Sequence, residues 1–544
     1  MKKKLLSSEL PSKRIIILTL SMMLIVITLL PVFGAQPVCA AEFSLQEATI
    51  DDVHAAFKSG QLTCRQLVQH YLNRIEAYDK NGPRLNAIQN LNQQALQEAD
   101  RLDNAYKLSG PVGPLHCIPV LVKDQVETSD MPTTFGSLVF KDFMPKRDAT
   151  IILKMKKAGA IIIAKATMGE YASKYVGSAS GIVRNAYDPT RNASGSSGGN
   201  GSGIAANFAT VGIGEDTGGS IRGPSAVASL VGLRPTVPLV SRFGALPVSP
   251  TMDTLGPMTR TVKDAAILLD VIAGYDANDP LTAYSVGQVP DSYVRFLHKD
   301  GLKGARIGVI REPTDPNTDT KSDDYKKVRA VIDRAISDLR ALGAEVVDPV
   351  AIPKVKDLIK QAYSDNTFET EQAINKYLGQ HANAPAKTLR EIVVSGKVVP
   401  WRLPGFLANI GKTTNDAGYL QVLIAKEELR QAVLKVMADN KLDVLTYATF
   451  DYPPTPIAPD VLTNMNTKDG YGVAGNRFLS PPIGFPAMVA PAGYTTDELP
   501  LPVGIEFLAR PFAESTLFRL VYAYEQGTRN RKPSATAPPL RGEP

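Results

Sequence analysis

The sequence predicts a single large α/β domain, with buried strands of one sheet covered by helices. Two observations carry this expectation. The chain has 544 residues, 44% of them apolar and 21% charged, enough to bury a sizeable core and far from disordered, collagen-like or polytopic membrane compositions. Short continuous apolar runs also alternate with helical patterns along most of its length, and no repeat of solenoid period interrupts them.

The first forty residues stand apart. A basic stretch ending at Arg14 leads into the apolar run Ile15 to Leu30, then Pro31 and the small-residue ending Val38-Cys39-Ala40-Ala41. That order reads as a secretory signal over residues 1–40 with cleavage after Ala40, the alternative being a retained membrane anchor over 15–30. Gln36-Pro37-Val38 before Cys39 is a poor lipoprotein site. The segment also explains the formal charge of +6: five cationic residues against Glu9 contribute +4, leaving +2 for the rest. With no basic run interleaved with aromatics after residue 40, a nucleic-acid partner is not expected.

From Thr49 to Tyr78 two helical patterns meet at Ser59-Gly60. The second opens at Thr63 with Gln66 three residues on, a capping box, and lines up Leu67, Tyr71, Leu72 and Ile75. Residues 41–110 therefore read as an N-terminal helical layer. After a linker around Ser109 to Pro114, Ile118 to Val122 reads as a strand, Asp148 to Lys157 as a helix stopped at Gly159, and Ile161 to Ala164 as a strand. Residues 176–224 are rich in Gly and Ser, the composition of a linker, yet Ile204-Ala205-Ala206 and Val211-Gly212-Ile213 look packed. Beyond them come a strand at Ala305 to Ile310, a helix from Tyr325 to Leu342, a strand at Ala344 to Val347, a helix from Leu420 to Ala438 and a strand at Val444 to Tyr447.

Several chemistries fail on spacing. After cleavage only Cys64 and Cys117 remain, too few for a disulfide framework, and the five histidines show no metal-ligand spacing, so neither metal nor cofactor is expected. Gly411-Lys412-Thr413 lacks the P-loop glycine, and neither Gly199-Asn200-Gly201 nor Gly212-Ile213-Gly214 completes a dinucleotide fingerprint. No lysine follows a serine by three residues. Gly195-Ser196-Ser197-Gly198-Gly199 formally satisfies the nucleophile-elbow pattern, but the polar, turn-like segment Asp188 to Ser194 stands where that elbow needs a buried strand. What remains is Lys123 at the end of an apolar strand, where desolvation favours the neutral amine, with serines in two glycine loops, Ser196-Ser197 and Gly218-Gly219-Ser220.

With those residues in view, the chain resembles the amidase signature family of serine hydrolases. The likeness runs through Gly195 to Gly199, Gly214-Glu215-Asp216-Thr217-Gly218-Gly219-Ser220-Ile221-Arg222, Gly113 to Pro119 ahead of Lys123-Asp124, Gly232 to Thr236, Asp253 to Arg260, Gly484 to Ala487 and Leu501 to Ile505. It covers essentially the whole of residues 41–544 as one amidase domain. The resemblance implies a large mixed central sheet with helices on both faces. It implies a Ser-cisSer-Lys triad of Ser220 as nucleophile, Ser196 behind a cis Gly195–Ser196 bond, and Lys123 as base. It further implies an oxyanion hole from the backbone N–H groups of Thr217, Gly218, Gly219 and Ser220. Ser197 is expected to hydrogen-bond the lysine or its loop, Asp216 and Arg222 to brace the nucleophile loop, and His116 to be structural. The chain departs from the family pattern at Cys117, where Gly is usual, at Gln125, where Asn is common, at Glu215, where Thr is common, and at Ala193-Ser194.

The function this implies is an exported, cofactor-free amidase acting on a small-molecule or peptide amide, with membrane contact only through the N-terminal segment. A glutaminase subunit of a tRNA-dependent amidotransferase is an alternative that the signal segment argues against. A silent binding module is a further one that Lys123, Ser196 and Ser220 together argue against.

Overall fold

In the computed structural model, residues 42–363 and 366–544 are described; the expected signal or anchor segment lies outside them. Among the described residues no helix is long and apolar enough to cross a membrane. The same residues form thirteen strands: β1 (Ile88–Leu91), β2 (Pro119–Lys123), β3 (Ile161–Ala166), β4 (Val176–Gly177), β5 (Gly181–Ile182), β6 (Val211–Asp216), β7 (Val231–Arg234), β8 (Thr254–Thr259), β9 (Arg306–Ile310), β10 (Glu345–Val350), β11 (Val444–Ala448), β12 (Ala487–Tyr494) and β13 (Pro502–Leu508). Apart from the small β4–β5 hairpin they form one eleven-stranded sheet in the order β1-β3-β2-β6-β8-β7-β12-β13-β11-β9-β10. The sheet is mixed: β2 runs parallel to β3 and β6, and β9 parallel to β10 and β11, while β8, β7, β12 and β13 make the antiparallel middle. Strands β2, β3, β6, β7 and β8 are buried at every residue, as strands covered on both faces must be.

The first two helices begin where the sequence places them. Helix α1 (Ile50–Ser59) ends on Gly60 at φ 74°, and α2 (Cys64–Ile75) opens with the Thr63–Gln66 capping box. Helix α3 (Ala95–Ser109) packs on α2 and completes this first layer, and α4 (Thr150–Lys157) leads into β3. Cys64, at the start of α2, is disulfide-bonded to Cys117, just ahead of β2. Cys117 sits at φ 60°, a left-handed conformation that glycine adopts freely and other residues rarely. The family's usual glycine at this position thus has a backbone reason, and here a cysteine takes that conformation and links the helical layer to the strand that carries Lys123. His116, expected to be structural, accepts at its Nδ1 from Val112 N at 3.2 Å and stacks its ring on Tyr106.

The glycine-rich region is packed, not a linker. Helix α5 (Gly198–Ala205) is buried throughout although half its residues are glycine, each roughly 1 kcal/mol poorer than Ala for a helix. Close approach explains the composition: a Cβ on Gly199 would lie 2.4 Å from Thr167 O, and one on Gly203 2.6 Å from Leu121 Cδ1. Asn200 Nδ2 then donates to Leu121 O and Ile213 O at 3.0 and 3.1 Å, clamping α5 over the seam between β2 and β6. Helices α6 (Arg222–Val227), which packs on β7, β12 and β13, and α7 (Val262–Ile272), which packs on β8, follow. Helix α8 (Asp323–Ala341) covers the sheet from β10 to β13.

Candidate active site

Three adjacent pieces of the sheet centre build the site: the end of β2, the loop before α5, and the turn from β6 to α6. Lys123, the last residue of β2, is fully buried. Its Nζ lies 2.8 Å from Ser196 Oγ, 2.7 Å from Glu215 Oε2 and 3.1 Å from Glu215 O. Burial pulls the lysine pKa down while the Glu215 carboxylate pulls it back up. The Gly195–Ser196 peptide bond is cis. Ser196 is sealed from solvent, and Ser220, 8% exposed, is the more open of the two serines.

Ser197 binds the strand and not the lysine: its Oγ donates to Glu215 O at 3.2 Å, and its N–H donates to Ser220 O at 3.2 Å, tying the two glycine loops together. Asp216 is the hub of the nucleophile turn. Its carboxylate accepts from Gly219 N at 2.7 Å and Ile221 N at 3.1 Å, and it takes Arg222 Nε and Nη2 at 3.1 and 3.2 Å and Arg234 Nη1 at 3.2 Å. Arg222 also pairs with Glu506, whose Oε1 accepts from the Tyr447 hydroxyl at 2.8 Å. All four charged groups are buried, two of each sign. Burial would raise the Asp216 pKa, but Arg222 and Arg234 hold it well below the usual carboxylate range. The brace expected of Asp216 and Arg222 is therefore a buried cluster.

One expectation needs correction. The Gly219 N–H is engaged by Asp216 Oδ1, so it shapes the turn and does not point at an oxyanion. That leaves Thr217, Gly218 and Ser220 of the expected donors. Gly219 sits at φ 103°, and a Cβ there would lie 2.1 Å from Arg477 Cδ; a Cβ on Gly218 would lie 2.0 Å from the Tyr363 hydroxyl. Arg477 and Tyr363 thus press on the turn that carries Ser220. The Arg477 guanidinium stacks on Phe450 and Phe478.

Glu215, Asp253 and the Thr217 side chain form a part of the site that sequence reasoning missed as a group. Thr217 Oγ1 lies 2.7 Å from both Glu215 Oε1 and Asp253 Oδ1. Asp253 also accepts from Val248 N and Ser249 N, and burial together with the Glu215 charge pushes its pKa up to about 8. Both carboxyls line a cavity of about 230 Å³ with Gln125, Arg242, Leu246 and Tyr377. Gln125 faces that side, its Nε2 donating to Leu246 O at 2.8 Å. The sequence signal was the departure at Glu215, next to a motif that otherwise conforms.

The fold and this lysine–serine arrangement define a hydrolase of the amide-bond class built on a mixed α/β sheet, and comparison with known proteins agrees. The profile of the Amidase family matches residues 66–518. A probable amidase of Arabidopsis thaliana is 33% identical over 521 residues, covering 91% of this chain and 92% of that one. A subunit of the glutamyl-tRNA(Gln) amidotransferase of Exiguobacterium is 34% identical over 498 residues, covering 89% and 98%. The solved structure of native peptide amidase from Stenotrophomonas maltophilia superposes with a TM-score of 0.80 at 32% identity, covering 90% of this chain and 99% of that one. The chain belongs to the amidase signature family. It is an amidase, a hydrolase of amide C–N bonds.

Proposed function

We propose that this chain is an exported amidase that hydrolyses a C-terminal peptide amide or another small linear amide through a Ser220–Ser196–Lys123 acyl-enzyme mechanism. The observation that carries the reading is the 2.8 Å contact between a fully buried Lys123 Nζ and Ser196 Oγ, on a loop tied to that of Ser220 by the Ser197 N–H to Ser220 O bond. Neutral Lys123 takes the Ser196 proton as Ser196 takes that of Ser220, and Ser220 Oγ bonds to the amide carbon. Backbone N–H groups of Thr217, Gly218 and Ser220 hold the oxyanion, each strong donor being worth roughly 3–4 kcal/mol in comparable sites. The lysine ammonium returns the proton through Ser196 to the leaving nitrogen, ammonia or an amine departs, and water resolves the acyl-enzyme by the same route.

The peptide-amide substrate follows the superposed peptide amidase. Export rests on the basic and apolar order of residues 1–40, with the Cys64–Cys117 disulfide as a second support, since such bonds persist in oxidising compartments. The test is ammonia release by the chain beginning at Ala41 from peptide amides, aliphatic amides, aryl amides and glutamine, with Ser220→Ala and Lys123→Ala alongside. Release abolished in both variants supports the triad, and activity retained in either refutes it. Preference for glutamine would move the protein toward the tRNA-dependent amidotransferases. Mass spectrometry of the protein made by an exporting host tests the address: a medium product starting at Ala41 is expected, and a full-length product confined to the cell would refute export.

A further inference from the structure

A protonated Lys123 has three N–H donors, and three acceptors surround it: Ser196 Oγ, Glu215 O and Glu215 Oε2. Removal of one proton leaves an active base in one arrangement only. The two remaining N–H groups stay on the two Glu215 oxygens, and the lone pair faces Ser196 Oγ. The Glu215 carboxylate then does for the amine what the carboxylate of a Ser-His-Asp triad does for imidazole: it fixes the orientation and stabilises the cation that forms as the nucleophile attacks.

We propose that Glu215 is the positioning residue of the catalytic lysine, aiming its lone pair at Ser196, and that Thr217 and a protonated Asp253 hold the Glu215 carboxylate in place. This rests on the Ser220–Ser196–Lys123 reading. Hydrogen counting supports the second half. Thr217 has one proton to donate but two carboxyl oxygens at 2.7 Å, so one carboxyl must itself supply a proton. Asp253 is the group whose pKa is pushed up to about 8, so near neutral pH it donates to Thr217 Oγ1 and Thr217 donates to Glu215 Oε1. No proton passes to Glu215 in the cycle: the Ser220 proton moves to Ser196 and the Ser196 proton to Lys123. The other charged groups around the pair are Asp216 on the same strand, paired with Arg222 and Arg234, and Arg147, Arg242, Asp279 and Lys376, which line the cavity with Glu215 and Asp253. A cavity of about 230 Å³ lies beside Glu215 and Asp253.

The test is Glu215→Gln, read by kcat and by the acid limb of the kcat/KM profile against pH, with melting to confirm the fold. A drop in kcat of about a hundredfold or more is expected, because a neutral amide no longer stabilises the lysine cation that forms as the nucleophile attacks. The acid limb should move to lower pH by about one unit or more, because the anion that raised the lysine pKa is gone while burial still lowers it. A well-folded variant with kcat within about threefold of wild type, or one with lowered kcat and an unmoved acid limb, would overturn the proposal. If Glu215→Gln does not fold, Glu215→Asp, whose carboxylate is kept but lies one methylene short of Lys123, is read by the same two quantities, with a smaller drop and a smaller downward shift expected. Failure of the underlying triad is separable, since Ser220→Ala or Lys123→Ala would then stay active.

Discussion

Asp216→Asn removes one charge from a buried cluster of four while almost preserving shape. In the wild type Asp216 and Glu506 balance Arg222 and Arg234, all of them buried. The variant leaves a net positive charge in the sheet centre, and breaking a buried pair in this way destabilises by about 3–5 kcal/mol. For a unit of roughly 500 residues the unfolding entropy is about 1 kcal/mol/K, so the midpoint should fall by about 3–5 °C. The Asn side chain has one acceptor oxygen where the carboxylate serves Gly219 N and Ile221 N with two, so the turn carrying Ser220 loosens. A misplacement near 1 Å at a nucleophile lowers kcat by about a hundredfold. The pH dependence has a definite sign. The folded pKa of Asp216 is depressed, so its contribution is present above the unfolded value near 4 and is lost as pH falls toward the folded one. Calorimetric melting from pH 9 to pH 3 should therefore show a constant gap between wild type and variant down to about pH 5, narrowing below it. A variant melting within about 1 °C of wild type with unchanged kcat would refute the reasoning.

Three further outcomes are expected. Gly219→Ala forces a side chain into φ 103° against Arg477 Cδ, and fluorophosphonate labelling of Ser220 should slow by about a hundredfold while the protein stays folded; labelling at the wild-type rate would contradict the tight turn. Cys117→Ser opens a loop with 53 residues of sequence separation and should lower stability by about 4 kcal/mol in urea titrations; equal midpoints for wild type with and without reductant would contradict the bond. Asp264, buried beside the start of α1 with its pKa raised to about 6, favours the folded state below the unfolded value and loses that advantage as pH rises through 6. Asp264→Asn should accordingly stabilise by up to about 3 kcal/mol at pH 8 and by nothing at pH 4, measured as the denaturation midpoint at both values.

The strands flanked by helices were legible because they read as plain apolar runs: β2, β3, β9 and β11 all begin within two residues of where the sequence places them. The antiparallel middle was not. Strands β7, β8, β12 and β13 contain Gly232, Gly256-Pro257, Pro491 and Gly504, residues that break the strand signal, the glycines standing where neighbouring atoms come close. On Gly256, for instance, a Cβ would lie 2.2 Å from Leu233 O. Among site residues, Lys123, Ser196 and Ser220 announce themselves through the two glycine loops and the apolar strand. Arg234, Asp253, Tyr363, Arg477 and Glu506 come from distant segments, and only the packing of those segments brings them to the nucleophile turn. The disulfide was equally hidden, since two cysteines set no pairing until α2 meets the lead into β2.

Arg74, in the first helical layer, is fully buried, and its guanidinium is held by Ala206 O, Ala537 O, Pro538 O and the Glu543 carboxylate. Close by, Leu45 N donates to Pro544 O at 3.0 Å. Residues 537–543 thus complete the environment of a charge carried at position 74. Without them, Arg74 lacks its counterion and two of its three carbonyl partners, and the early layer closes only at the expense of an unpaired buried cation. The first helical layer is therefore closed by contacts 463 and 464 residues away in the sequence, the kind of long-range pairing whose loop-closure cost slows folding.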